Sequence, residues 1–301
     1  MHKKISFLMM SEKGFRVLTQ LIVLNKKNLI NIIVAAKDKN LENDYYNEIK
    51  SLCLEYNIIF FDKKECYEHL LTNDYIFTIG WRWIISGNIK NNLIISHYSL
   101  LPKYRGFSPL VNMLINHEKT IGVTFLFADD EYDCGEIIIQ KKKDITYPIK
   151  IKQAIHIISI LLFECIIEII DILSYGKELP RTKQKNKDAS YSLWRNEDDY
   201  LIDFKKSSTY IKRFIDSVGP PYLGASMYMD NKKIRVFDAD IIDDVVIENR
   251  DPGKVIFMKN GFPVITCGSG LLLLKDLIDE ETNKSILPTK KFRLKFQGKK
   301  Q

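Results

Sequence analysis

The residues best suited to acid–base work crowd into one region of this chain. His97 opens the run His97-Tyr98-Ser99-Leu100-Leu101-Pro102-Lys103-Tyr104-Arg105-Gly106. Gly122-Val123-Thr124 follows, and an acidic turn then reads Asp129-Asp130-Glu131-Tyr132-Asp133-Cys134-Gly135. An imidazole can take up and return a proton near neutral pH, and a carboxylate beside it orients the ring and stabilises its charged form. Taken singly, a histidine in a loop is most often structural or solvated, and an Asp-rich turn is usually only a turn. Their combination at this spacing, 133 − 97 = 36 residues, makes the pair a candidate reacting centre.

The elements that must position these residues read as an α/β domain. Residues 4–10 form an apolar strand, Ser11-Glu12-Lys13-Gly14 a turn, and Phe15, Leu18, Leu21 and Ile22 the apolar side of a helix. Further strands are expected at 30–35, 58–61, 75–79 and 93–95, with a helix at 45–56. Strands alternating with helices predict a doubly wound, Rossmann-like parallel sheet, whose ligands sit at the carboxyl ends of the strands. The loops at 11–14, 80–83 and 96–106 are therefore the places for chemistry. Residues 123–127 and 136–140 read as two strands joined by the acidic turn. Residues 175–188 read as a lysine-rich linker with little to bury. Beyond it, short strands at 254–257, 262–266 and 270–277, punctuated by Asn260-Gly261 and Gly268-Ser269-Gly270, predict a small β-barrel-like, OB-like domain. The expected organisation is a catalytic domain over 1–188 and a β-rich domain over 189–301.

Composition excludes several classes. With 46% hydrophobic and 28% charged residues the chain can bury a core. Residues 154–173 are about as long as a bilayer is thick, but Glu164, Glu168 and Asp171 share one face, so a buried amphipathic helix is expected and no membrane span. Cys53, Cys66, Cys134, Cys165 and Cys267 form no CxxC pair, so no metal site is expected. Their odd number and the absence of an export signal after Met1 favour the cytoplasm. The net charge of +7 lies partly in residues 284–300, expected to be a solvated, mobile tail.

The composite segment 97–135 resembles the signature of the 10-formyltetrahydrofolate-dependent formyltransferases, in which a His opens a Ser-Leu-Leu-Pro loop and an Asp follows in an Asp-x-Gly turn. Residues 181–203, Pro221-Tyr222-Leu223-Gly224-Ala225 and 268–274 resemble that family's C-terminal domain, so the likeness runs from about 75 to 278. The resemblance implies His97 and Asp133 as the catalytic pair and 10-formyltetrahydrofolate as co-substrate. It places Gly80, Trp81, Arg82 and Trp83 along one wall of a pterin slot, and Asp129, Asp130, Glu131 and Tyr132 along the other. Ser11, Lys13, Tyr104 and Arg105 would meet the acceptor and its phosphate, and Trp194 would stack on a nucleobase; for the tryptophans, core packing is the plainer alternative. The family has an Asn two residues before the His, and Ile95 stands there. Ser96, a backbone N–H, or Asn91 or Asn92 takes over its donor, or catalysis rests on the pair alone.

The chemistry suits these residue types. The acceptor amine must lose a proton, an oxyanion must be stabilised, and the folate nitrogen leaves once protonated. Gly80-Trp81-Arg82-Trp83-Ile84-Ile85 and residues 97–109 resemble the members that act on nucleotide-linked 3- or 4-amino-dideoxy sugars, precursors of O-antigen and other cell-surface polysaccharide. The tRNA-directed members carry a Lys/Arg-rich insertion near the second strand. Here residues 37–50 hold Lys37, Lys39 and Lys50 against Asp38, Glu42, Asp44 and Glu48, which is no positive stripe for nucleic acid. The expected acceptor is thus an amino sugar, the alternatives being methionyl-tRNA, the acceptor of the purine-pathway members, which are usually shorter and lack the C-terminal domain, or a folate-binding module without turnover. A homodimer through the C-terminal domain is expected, with residues 271–274 at the interface or inside the barrel.

Overall fold

The computed structural model describes residues 3–39, 41–63, 67–70, 73–83, 85, 92–289 and 291–299. The chain divides into unit 1, comprising Met1–Leu110, Lys119–Ile145 and Gln153–Leu193, and unit 2, comprising Val111–Glu118, Thr146–Lys152 and Trp194–Gln301.

Unit 1 is built on strands apolar on both faces. In β1 (Ile5–Met9) all five residues are buried, as expected for a strand covered on either side. It lies between β2 (Ile30–Ala35) and β4 (Tyr75–Ile79), with β3 (Ile59–Asp62) beyond β2 and β5 (Leu93–His97) beyond β4, all parallel. Helices α1 (Ser11–Val23), α2 (Tyr46–Glu55) and α3 (Tyr67–Leu70) supply crossovers. After β5 come the two-residue β6 (Arg105–Gly106) and α4 (Pro109–Ile115). The sheet then turns antiparallel through β7 (Thr120–Phe127) and β8 (Ile137–Asp144), giving the order β3-β2-β1-β4-β5-β7-β8. The expected parallel sheet is therefore a mixed one. Chain order reverses between β1 and β4, which puts the switch point where Met10–Lys13 and Gly80–Trp83 emerge.

Alternation sorts the strand residues between two cores. Leu8, Ile32, Val34, Ile76 and Leu93 form one cluster, against which Trp81 and Ile95 pack. Phe77 stacks on Phe7 at 5.4 Å and meets Phe125 edge-on at 6.1 Å between ring centroids. The long helix, α5 (Ile151–Ser174), buries Ile155, Ile158, Leu162, Cys165, Ile166 and Ile169, while Glu168 meets Lys141 at 2.8 Å. Among the described residues no helix is long and apolar enough to cross a membrane.

Two local expectations are corrected. Residues 11–14 are not a separate turn: Met10 is extended and the strand runs straight into α1, with the bend taken up by Ser11 at φ 62°. His97 is not a loop residue but the last residue of β5, because antiparallel pairing with Thr124 of β7 extends that strand.

Unit 2 carries an antiparallel sheet ordered β10-β11-β14-β13-β12, with β15 on β14. The strands are β10 (Ala225–Met229), β11 (Lys232–Ile242), β12 (Val255–Lys259), β13 (Phe262–Thr266), β14 (Leu271–Asp279) and β15 (Lys284–Ser285). Helix α6 (Ser208–Val218) packs on it, capped by the Ser207 hydroxyl, which accepts from the Tyr210 N–H at 3.2 Å. Its buried Ile211, Phe214, Ile215 and Val218 recur at helical spacing. Leu271, Leu272 and Leu274 are buried within this unit, so they fill its core.

The tail is a further correction. Leu294 and Phe296 are buried, and segment 294–297 bonds to both edges of the sheet. Val255 donates to Leu294 at 3.0 Å and Phe296 to Gly253 at 2.8 Å, while Tyr228 and Gln297 exchange bonds at 2.7 and 2.8 Å. That segment closes the sheet into a barrel-like form. The period-two pattern Phe292-Arg293-Leu294-Lys295-Phe296 is a strand signal that the lysines around it mask.

Candidate active site

His97 projects from the carboxyl end of β5 and is 6% exposed. Its Nε2 lies 2.8 Å from the Tyr104 carbonyl oxygen. A carbonyl can only accept, so Nε2 carries the hydrogen, and Nδ1 is the nitrogen left to gain or lose a proton. Nδ1 faces Asp133 Oδ1 at 3.4 Å, just beyond ordinary hydrogen-bond length. The other oxygen, Oδ2, accepts the Gly106 N–H at 2.7 Å. The carboxylate is thus anchored on one side and turned to the imidazole on the other.

The loop between β5 and β7 is held from beneath. Thr124 donates its hydroxyl to the Ser99 carbonyl at 2.7 Å and accepts from the Leu101 N–H at 3.1 Å and the Gln140 amide at 2.8 Å. Beyond it, β6 pairs in parallel with β9 (Tyr191–Ser192). Gly106 has φ 97°, and a Cβ there would stand 2.6 Å from the Ser192 carbonyl oxygen, so only glycine lets the ribbon close and its N–H reach Asp133. Gly106→Ala is expected to cost about 1–3 kcal/mol, read as a lower denaturation midpoint, with a loss of turnover beyond what unfolding explains.

Ser96 is not brought to the pair. Its side chain falls on the opposite face of β5 from His97, and its hydroxyl donates to the Thr78 carbonyl at 2.5 Å. Ile95 shares the His97 face and packs on the apolar cluster. The Asn92 amide donates to the Asn73 carbonyl at 2.8 Å, and Asn91 lies outside the described residues. Tyr104 contributes its carbonyl to His97 and its N–H to Ser190 Oγ at 2.9 Å. Arg105 is not presented to a substrate: it is 1% exposed, and its guanidinium donates to Gln184, Asn186 and Tyr191. Trp194 belongs to unit 2 and is 61% exposed.

Two further groups occupy the switch point. Ser11 and Lys13 lie buried in the first turn of α1, where N–H groups and the helix dipole favour an anion. Ser11 Oγ has no hydrogen-bond partner. Lys13 Nζ stands 5.0 Å from the Tyr98 ring centroid, and burial pushes its ammonium down to about 8, with Glu12 acting the other way. Tyr98, whose hydroxyl takes the Gly80 N–H and which burial pushes up to about 12, was not singled out from the sequence. Beside it, Trp81 meets Trp83 edge-on at 5.2 Å, and Trp81 Nε1 is buried without a partner. Arg82 pairs with Asp38 at 2.6 Å, and Asp129, Asp130, Glu131 and Tyr132 lie exposed on the turn between β7 and β8. The unsatisfied indole donor and exposed acidic turn fit a bound heterocycle with a polar edge.

Cys134 follows Asp133, and burial, with the charges of Glu131 and Asp129, pushes its thiol up despite Arg105, away from a reactive thiolate. Among the described residues no group of three metal-ligating side chains converges.

Comparison with known proteins finds relatives of both parts of the chain. The family model described as formyl transferase matches residues 65–153, and that described as formyl transferase, C-terminal domain, matches residues 195–293. Methionyl-tRNA formyltransferase of Geobacter sulfurreducens is 29% identical over 232 residues, 75% of this chain and 70% of that protein. The chain spans between 57% and 70% of the first three such relatives. Among solved structures, an N-formyltransferase from Helicobacter canadensis in complex with folinic acid and dTDP-3-aminofucose is 19% identical. It covers 91% of this chain and 99% of its own, with a TM-score of 0.63. Methionyl-tRNA formyltransferase from Clostridium thermocellum, 17% identical, has the same coverage and a TM-score of 0.62. At these identities the structures establish the fold.

Proposed function

Because this chain belongs to the formyl transferase family and is a formyl-transferring enzyme, we propose that it passes the formyl group of 10-formyltetrahydrofolate to the amine of a nucleotide-linked amino sugar. The observation that carries the transfer chemistry is the enclosed contact between His97 Nδ1 and Asp133 Oδ1. The formyl-folate supplies an activated formyl carbon. The Tyr104 carbonyl closes the Nε2 side of the ring, so the acceptor amine meets His97 on the Nδ1 side, next to Asp133. Nδ1 takes the proton that the amine loses, Asp133 stabilises the resulting imidazolium, and the same proton is returned to the departing nitrogen. With Ile95 carrying no donor and Ser96 turned away, the charge that develops on the carbonyl oxygen is met by protonated His97.

The amino-sugar acceptor is supported by the buried Lys13 and the unpartnered Ser11 hydroxyl, which suit a diphosphate at the start of α1. Their charge state gives a test. Lys13 titrates near 8 against an ordinary 10.5, so the unfolded chain holds that proton more firmly and stability rises as pH climbs between the two values. An anion requires the ammonium form, so affinity moves the opposite way. The Kd for dTDP is expected to weaken as pH rises through about 8, and Lys13→Met should flatten that dependence. A flat wild-type profile would remove Lys13 from the phosphate site.

A second reading, methionyl-tRNA as acceptor, is favoured by the names of the curated relatives. The mixed charges of residues 37–50 and the Arg82–Asp38 pair argue against an RNA-binding stripe there. Incubation with 10-formyltetrahydrofolate and either dTDP-linked 3- and 4-amino sugars or charged initiator tRNA separates the two. Formylated nucleotide sugar is the expected product, and formylation of the tRNA alone would overturn the acceptor. The homodimer is likewise a proposal, which sedimentation would test.

A further inference from the structure

Residues 175–188 look like a linker in the sequence, yet one of them is wired into the reacting centre. Gln184 donates both amide hydrogens to main-chain carbonyls of the catalytic turn, to Asp133 at 2.7 Å and to Gly135 at 2.8 Å. Its Oε1 accepts twice from the buried Arg105, from Nε at 3.1 Å and from a terminal nitrogen at 2.8 Å. The amide can be placed only one way, since a guanidinium only donates and carbonyls only accept. Arg105 also reaches Asn186 Oδ1 at 3.0 Å, and the residue after it, Gly106, supplies the N–H that holds Asp133 Oδ2.

We propose that Gln184 is a positioning residue for the catalytic carboxylate, holding the Asp133-Cys134-Gly135 turn by its backbone so that the acid faces His97. The need for such a clamp is local. Asp133 sits at φ 56°, in the left-handed region that residues with a Cβ seldom occupy. Among the described residues its side chain is anchored by a hydrogen bond at one oxygen, and rotation of the turn would carry the other away from Nδ1. With Gln184 in place, the carboxylate is fixed at the main chain by Gln184 and at the side chain by Gly106, and Arg105 ties these two supports together. The inference rests on the role given to Asp133 above, but it concerns geometry that exists without substrate.

The test uses full-length protein with Gln184→Ala and Gln184→Glu. The Glu variant keeps an acceptor for Arg105 while removing both donors to the carbonyls. The readout is the ¹⁵N resonance of His97 Nδ1, compared with that in Asp133→Asn. Both Gln184 variants are expected to move it in the same direction as Asp133→Asn, and to add nothing in an Asp133→Asn background. Turnover should fall at least about tenfold with KM for formyl-folate within about twofold. An unchanged His97 resonance in both variants, or a shift that persists undiminished without the Asp133 carboxylate, would overturn the inference. Absence of formyl transfer by the wild-type protein, with the His97 response as expected, would strike the functional reading and leave the positioning role standing.

Discussion

Asp133→Asn is expected to lower turnover by between about a hundredfold and ten-thousandfold, with formyl-folate affinity little changed. The substitution keeps shape and size, and the amide oxygen can still accept the Gly106 N–H that Oδ2 now takes. What changes is the group turned to His97. Nε2 already holds a hydrogen toward the Tyr104 carbonyl. An Asn nitrogen facing Nδ1 would donate to it, locking the ring in its neutral form and leaving no anion to stabilise the imidazolium. Loss of proton transfer with the fold preserved is therefore the expected phenotype. Steady-state kinetics alongside a thermal melt would check it, and turnover within tenfold of wild type would count against an electrostatic role for the acid.

His97→Ala is expected to reduce turnover by about a hundredfold or more, because no other described residue is placed to shuttle the proton. Ser96 lies on the other face of β5 with its hydroxyl spent on Thr78, and burial pushes the Cys134 thiol up. The loss should appear in kcat, since the ring's own partners are Tyr104 and Asp133 rather than the groups suited to holding folate and phosphate, Trp81 and Lys13 with Ser11. Binding of folinic acid by the variant would separate a failed reaction from a failed site.

The reacting pair was legible because its residues occur in a dense run at a telling spacing, and the element types followed from apolar periodicity. The rest required partners that no local pattern announces. That His97 ends a strand depends on Thr124, a pairing between segments far apart in the chain. That Arg105 braces the site rather than greeting a substrate depends on Tyr191 and on Gln184 and Asn186, the latter two in a stretch whose lysines and lone Pro180 suggest solvent. Ser96 looked able to replace the missing Asn only until strand alternation placed it on the far face. In the tail, net charge outweighed a short Phe-x-Leu-x-Phe alternation that was visible in the residues themselves.

The account stands on the imidazole and the carboxylate working as one unit, and a double-mutant cycle in formyl transfer measures that coupling. If Asp133 acts by stabilising the charged ring, then once His97 is gone its removal has nothing further to take away. His97→Ala/Asp133→Asn should then be about as slow as the slower single variant. Losses that multiply, with the double variant slower by the product of the two single effects, would mean that the two groups act independently and would contradict it.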